Sequence, residues 1–347
     1  MSTSKILLFL VVVATTAALF SCDDGIEEPE AKSAFHWRYD SLGGAVSFGL
    51  IKFWGDDPRT LYLLSGNALY RYDRPRFHIV PLMGVPDSPY ATFYDIAGSS
   101  DRDLWVAGEC PGAVRPGFSK DSSCLLHYDG SQWREVDLAC SSALFAAASA
   151  GEGEVFLGGN MASLIRYANG VEEPIFFPLE LRDLPYVLLY CSELFYNDGI
   201  LYASGWVRLQ NGMQRPFRFE YENGSTRFAG FLDEDLGPAG GFWRSTEGTL
   251  YALGRTGVLR KNGNRWETYF IMEPSPSATF GTTEGNIWVT GYGLCRQWVR
   301  GKWVEHNPTP YPGINGSLGK GWTDGNIVMM MYQGARPSSA WVVAIGE

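Results

Sequence analysis

One short pattern recurs along this 347-residue chain and constrains its fold more than any other feature: aliphatic, aromatic, aliphatic, small, Gly. It reads Leu104-Trp105-Val106-Ala107-Gly108, Val155-Phe156-Leu157-Gly158-Gly159, Leu201-Tyr202-Ala203-Ser204-Gly205, Leu250-Tyr251-Ala252-Leu253-Gly254 and Ile287-Trp288-Val289-Thr290-Gly291. Two weaker copies flank these five, Leu61-Tyr62-Leu63-Leu64-Ser65 and Ile327-Val328-Met329-Met330-Met331. Successive copies start 37 to 51 residues apart. That period suits a unit of four short strands that buries its faces only against copies of itself.

Each copy carries its own punctuation. An acidic or Gly turn precedes the core, as in Asp101-Arg102-Asp103, Asn197-Asp198-Gly199 and Asp324-Gly325. A second strand follows, as in Leu125-Leu126-His127-Tyr128 and Leu164-Ile165-Arg166-Tyr167, and closes on Asp129-Gly130 or Asn169-Gly170. Such pairs accept the positive φ of tight hairpin turns. An outer strand then opens on Trp133, Trp266 or Trp303. These are strands B, C and D of each unit. An inner strand A precedes each acidic turn, for example at Phe93 to Ala97, Leu144 to Ala148 and Leu188 to Phe195. The last unit ends at a strand C, Ser339 to Ile345, and leaves an open edge, which is an aggregation hazard. Phe35-His36-Trp37-Arg38-Tyr39 has the Trp-Arg pattern of the missing strand D. The sequence therefore predicts an all-β ring of seven four-stranded antiparallel blades, closed by an N-terminal strand that completes the C-terminal blade.

The units follow Leu-Trp-x-x-Gly, then hydrophobic-x-[His/Arg]-Tyr-x-[Asp/Asn]-Gly-x-x-Trp, and so resemble bacterial β-propeller repeats of the broad YVTN/WD40-like and photosystem-assembly-factor-like superfamily. The resemblance covers residues 34–347 as a single domain. It implies architecture and says almost nothing of activity, because propellers host enzymes, receptors and scaffolds alike. The Gly-His to Trp-Asp pairing of WD40 units is absent, as is the Ser-x-Asp-x-Gly-x-Thr-Trp box of sialidase-like propellers.

Ahead of the repeats, residues 1–21 carry the single charge Lys5, an apolar run from Ile6 to Phe20 and a small residue, Ser21, which is the layout of a secretory signal peptide. Leu19-Phe20-Ser21-Cys22 resembles a bacterial lipobox, which implies acylation of Cys22. Two or more acyl chains would make a stable anchor. Residues 22–33 then read as an acidic tether. The expected location is a bacterial membrane, facing the periplasm or the exterior.

Five further cysteines remain. Cys110 and Cys124 bracket the B–C connection of the second blade, and hairpin geometry would bring them together as a disulfide. Cys140 and Cys191 either pair or stay as buried thiols, and Cys295 reads as a lone core thiol. No Cys/His spacing suggests a metal, and no cofactor motif is present. His127 is replaced by Arg166 and Arg260 in sister blades and reads as a surface or inter-blade polar contact rather than a catalyst. Asp56-Asp57 and Asp233-Glu234-Asp235 read as solvated turns.

A formal charge of -10 opposes binding to nucleic acid. The expected function is a non-enzymatic binding or assembly scaffold, a monomer that takes a protein or glycan partner on the face made by B–C and D–A loops. Candidate contacts are Tyr90, Arg115, Phe118, Tyr186, Trp206, Arg208, Arg215 and Tyr311, in loops placed at 83–92, 108–124, 178–187, 205–216, 232–240 and 307–315. The alternative is an envelope enzyme acting on a glycan or related polymer through acidic residues at the axial mouth. Two carboxylates within about 5–10 Å of each other, one with a raised pKa, would favour it.

Overall fold

The computed structural model describes residues 35–42, 51–55, 57–82, 91–110, 123–140, 142–160, 163–231, 238–254, 256–308, 317–333 and 342–347. Phe35–Glu347 form one unit. Its strands make seven four-stranded antiparallel sheets: blade 1 at 51–80, blade 2 at 92–135, blade 3 at 144–174, blade 4 at 186–231, blade 5 at 238–271, blade 6 at 278–305, and blade 7 at 317–346 with Trp37–Ser41. Strand A of each blade packs on strand A of the blade before and after it, and blade 7 packs on blade 1, so the ring is closed. Among the described residues one short α-helix occurs, α1 (Leu179–Arg182), between blades 3 and 4.

The repeated core is strand B, which lies inside its own sheet and between two neighbouring sheets. Both of its faces are therefore buried, as with Leu104, Trp105, Val106 and Ala107, and it reads as a continuous apolar run instead of an alternating one. The terminal Gly has a steric cause. At Gly108, Gly159 and Gly205 a Cβ would collide with the carbonyl oxygen of Thr92, Ala143 or Tyr190, where strand A crosses close to strand B. The C–D turns are of the mirror-image hairpin type, with Asn169-Gly170 at φ 53° and 80° and Asn223-Gly224 at 49° and 80°.

Ring closure follows the expected route. Trp37–Ser41 pairs with Val342–Gly346 in the register Trp37 to Gly346 through Ser41 to Val342. His36 N donates to Glu347 O at 3.0 Å. Arg38 meets the Glu347 carboxylate at 3.2 Å and reaches into blade 1 to the Tyr72 hydroxyl and the Pro75 carbonyl. One strand thus ties blade 7 to blade 1.

Blade 4 departs from the sequence reading. Residues 205–216 are not a loop: strands A, B and C run as Tyr186–Asn197, Ile200–Leu209 and Gln214–Glu222, well beyond the counterparts in blade 3, Leu144–Gly151, Glu154–Gly159 and Leu164–Ala168. The B–C connection shrinks to a turn in which Leu209 N donates to Met213 O at 2.8 Å. Strand propensity and alternation in Trp206-Val207-Arg208-Leu209 prevail over the polar turn residues that follow.

Cys110 and Cys124 are bonded, with Cα atoms 5.4 Å apart, and link the ends of strands B and C of blade 2. Cys140, Cys191 and Cys295 are free thiols, so Cys140 and Cys191 do not pair. The Cys191 thiol instead approaches Ser204 O at 3.5 Å.

Candidate functional site

Two regions carry the features of a site, one at each end of the ring axis. The first lies where the B–C and D–A connections gather. The large exposed apolar side chains Phe176, Leu179, Val187, Trp206 and Met213 all sit at that end. Cys22, Tyr90, Arg115, Phe118 and Tyr311, and most of the loops expected around the last four, lie outside the described residues. The remaining four candidates all belong to the overhang of blade 4, and the pairing divides them between its two faces. Tyr186 pairs with Leu209 and Arg215 with Val207, which puts both on the core-facing side. Arg215 lies over the Phe231 ring at 3.7 Å. Trp206 pairs with Tyr190 and Pro216, and Arg208 with Leu188 and Gln214, on the outward side. Trp206 is 38% exposed, and Arg208 is exposed too.

From Trp206 an aromatic line runs inward. Tyr190 lies across the strand from it; Phe145 meets Tyr190 at 5.9 Å and Tyr94 at 4.8 Å, both edge-on. Phe145 and Tyr94 are the extra residues of β-bulges in strands A of blades 3 and 2, between the paired residues Leu144 and Ala146, and Phe93 and Asp95. A bulge re-aims its side chain, which lets successive inner strands offer rings on one side. The Tyr94 hydroxyl donates to Glu109 Oε1 at 2.6 Å.

The second region is an axial cavity of about 870 Å³ lined by the later halves of the seven strands A. It runs toward the A–B turns, past Trp54, Ser149, Tyr196, Arg244, Thr282 and Asp324. Its floor is a charged quartet that sequence reading did not name. Lys52 Nζ lies 3.3 Å from Asp95 Oδ2 and 3.9 Å from Glu193 Oε1, and Lys320 Nζ lies 3.2 Å from the same Glu193 oxygen. Asp95 also accepts from Ile96 N at 2.9 Å and Ala147 N at 3.1 Å. Bulges before Asp95, Glu193 and Gly321 accompany this inward turn.

Burial works against every charge here, and the neighbours decide each outcome. Burial raises the Asp95 pKa in spite of Lys52 and Lys320. It would raise Glu193 as well, but Lys320 and Lys52 override it and hold Glu193 at about 2. It would lower Lys52, but Asp95 and Glu193 keep that ammonium above the ordinary lysine value. Lys320 is lowered, since Glu193 only partly offsets burial and Lys52 repels it. Two carboxylates thus converge on one lysine nitrogen with Asp95 raised, which is the arrangement set out for the enzymatic alternative, but lysines engage both.

Of the surface and inter-blade readings of His127, the structure shows the inter-blade one. Its Nε2 is 2.7 Å from Asp103 Oδ1, which also accepts from Gly153 N of blade 3 at 3.3 Å, and its ring stacks on Trp105 at 3.8 Å. Arg166 and Glu154 form the corresponding pair in blade 3 at 2.7 Å. Asp57 caps its own turn, accepting from Arg59 N at 2.7 Å.

No protein-family model and no curated protein matches the sequence. Solved structures do match. A structure of YCF48 bound to a D1 peptide aligns with a TM-score of 0.60 at 14% identity, over 89% of this chain and 96% of that one. YCF48 from Cyanidioschyzon merolae aligns with a TM-score of 0.58 at 13% identity, over 88% and 98%. The chain is a seven-bladed β-propeller. At this identity the likeness speaks for the fold alone, and the fold agrees with the superfamily that the repeats resemble.

Proposed function

We propose that this propeller is a binding scaffold of a bacterial envelope, exported and held to a membrane through an acylated Cys22, and that it grips a segment of a protein partner on its B–C/D–A face. The observation that carries the reading is the line of rings from Trp206 through Tyr190 and Phe145 to Tyr94, flanked by Arg208. Rigid aromatic anchors beside an arginine are the usual makings of a binding hot spot. The YCF48 structure solved with a D1 peptide supports protein partnering by this fold in general. Lys5, the apolar run Ile6 to Phe20 and the Cys22 context support export and anchoring. Ion pairing of Asp95 and Glu193 with Lys52 and Lys320 favours binding over glycan cleavage.

A pull-down from envelope extract tests the face. The protein captured by the wild-type chain is expected to be lost, by about tenfold or more, with Trp206→Ala combined with Arg208→Ala. Undiminished capture of the same protein by the double variant would refute the assignment. A Cys22 peptide without added lipid mass would remove the anchor.

A further inference from the structure

We propose that Lys320 is a reactive amine that captures a small α-oxo acid as an imine at the floor of the axial cavity. This goes beyond the partner-binding reading and does not depend on it. The geometry is that of two amines sharing one carboxylate oxygen: Glu193 Oε1 lies 3.2 Å from Lys320 Nζ and 3.9 Å from Lys52 Nζ. Of the two lysines, Lys320 is the more open, with its side chain 35% exposed against 17% for Lys52. Around it the cavity wall is built from Ala147, Gly241 and Thr279 on strands A of blades 3, 5 and 6, which leaves room above the amine. Ligand pockets are commonly about 300–1,000 Å³, and this one falls in that range.

An amine partly withdrawn from bulk water and set beside a second cation is a known route to a nucleophilic lysine. Burial and the Lys52 charge hold Lys320 below the ordinary lysine value, in line with the geometry. The titratable groups that face it are Lys52, Asp95 and Glu193, with the Cys191 thiol on strand A of blade 4 pushed up to about 12 by burial. The neutral Lys320 nitrogen adds to the carbonyl carbon, forming a C–N bond while the carbonyl π pair moves to oxygen and takes up a proton. With Lys320 neutral, Glu193 loses one of the two charges that hold its pKa down, and it accepts the proton released from nitrogen and returns it to the carbinolamine hydroxyl, which leaves as water. Amine, oxo acid and one proton, which the carbonyl oxygen draws from solvent in the cavity, thus give protonated imine and water, with no change of oxidation state. The protonated imine restores the positive charge that a Lys320 ammonium would bring to the quartet. The carboxylate on the neighbouring carbon fits against the Lys52 ammonium, and this selects an oxo acid over a plain aldehyde.

The experiment uses the full chain with pyruvate and cyanoborohydride, which reduces any imine to a stable amine, followed by peptide mass spectrometry. Lys302, exposed on strand D of blade 6, serves as the reference in the same sample. At neutral pH, Lys320 is expected to be modified about tenfold faster or more, because its lowered pKa leaves more of the amine neutral. Acetaldehyde, which lacks the carboxylate, should lose about tenfold of that preference, and Glu193→Gln should slow Lys320 while leaving Lys302 unchanged. Equal rates at Lys320 and Lys302 in the wild-type chain would overturn the proposal without reliance on any variant. Equal preference for acetaldehyde and pyruvate would overturn the oxo-acid assignment.

Discussion

The ring should loosen in acid through His306, which packs against its closing strand. This residue is 9% exposed, and its Nε2 lies 3.1 Å from Gln297 Oε1. Its ring meets Trp288 at 4.6 Å, Phe35 at 5.5 Å and Trp37 at 6.2 Å. Burial lowers its pKa from 6.5 to about 4. The unfolded chain therefore binds a proton that the folded chain refuses. Stability from the neutral imidazole is complete above the unfolded value, declines as the pH falls through the interval between the two values, and changes no further below the folded one. At 1.36 kcal/mol per unit the whole interval is worth about 3 kcal/mol, of which roughly 2 kcal/mol is lost between about pH 7 and pH 4.5. Urea unfolding followed by tryptophan fluorescence at those two pH values measures this. Asp95 and Glu193 titrate too, so the comparison is with His306→Gln, which keeps a polar side chain and removes the titration. The wild-type chain should lose about 2 kcal/mol more than the variant on acidification. Parallel losses in the two proteins would show that the imidazole does not refuse the proton, and the reasoning would fail.

Two further perturbations probe the framework. Gly205→Ala drives a Cβ into the Tyr190 carbonyl and the Phe217 ring and should cost about 2–3 kcal/mol, whereas Gly224→Ala, at φ 80° in open space, should cost only about 1 kcal/mol; equal shifts in urea midpoint would contradict the close-approach explanation of the repeat. Cys124→Ser opens the Cys110–Cys124 bridge and should lower stability by about 3 kcal/mol on the chain-entropy account, read as a fall in melting temperature that is absent when both proteins are reduced.

The blades were legible because their cause is local. Close approach of strand A writes a Gly at the end of strand B in blades 2, 3 and 4, and mirror-image turns write Asn-Gly and Asp-Gly, so both recur along the chain. Trp37 and Arg38 betrayed the closing strand by the same token. The axial quartet was not legible in this way, since its members come from four blades and share no motif. Sequence carried one clue: Lys52 lies between Ile51 and Phe53, Asp95 between Tyr94 and Ile96, and Glu193 just before Leu194, lone charges in otherwise apolar strands. Such a charge must find a partner, and only the ring reveals which one. Bulges also hid from the pattern, because a single added residue leaves composition untouched while turning Tyr94 and Phe145 sideways. The division of Tyr186 and Arg215 from Trp206 and Arg208 depended on recognising the blade 4 overhang as strand, where alternation separates them.

Pairing of Trp37–Ser41 with Val342–Gly346 also sets a timetable for biogenesis. Arg38 and Glu347 are 309 positions apart in the chain. At ~5–20 residues per second, translation alone separates these strands by roughly 15–60 s. Through that interval the first β-segment waits without its mate, and a polypeptide stalled before its last dozen residues has six finished sectors and a gap. Maturation is therefore all-or-nothing at the final step, and a holdase that shields Trp37 during the wait would raise the yield of closed molecules.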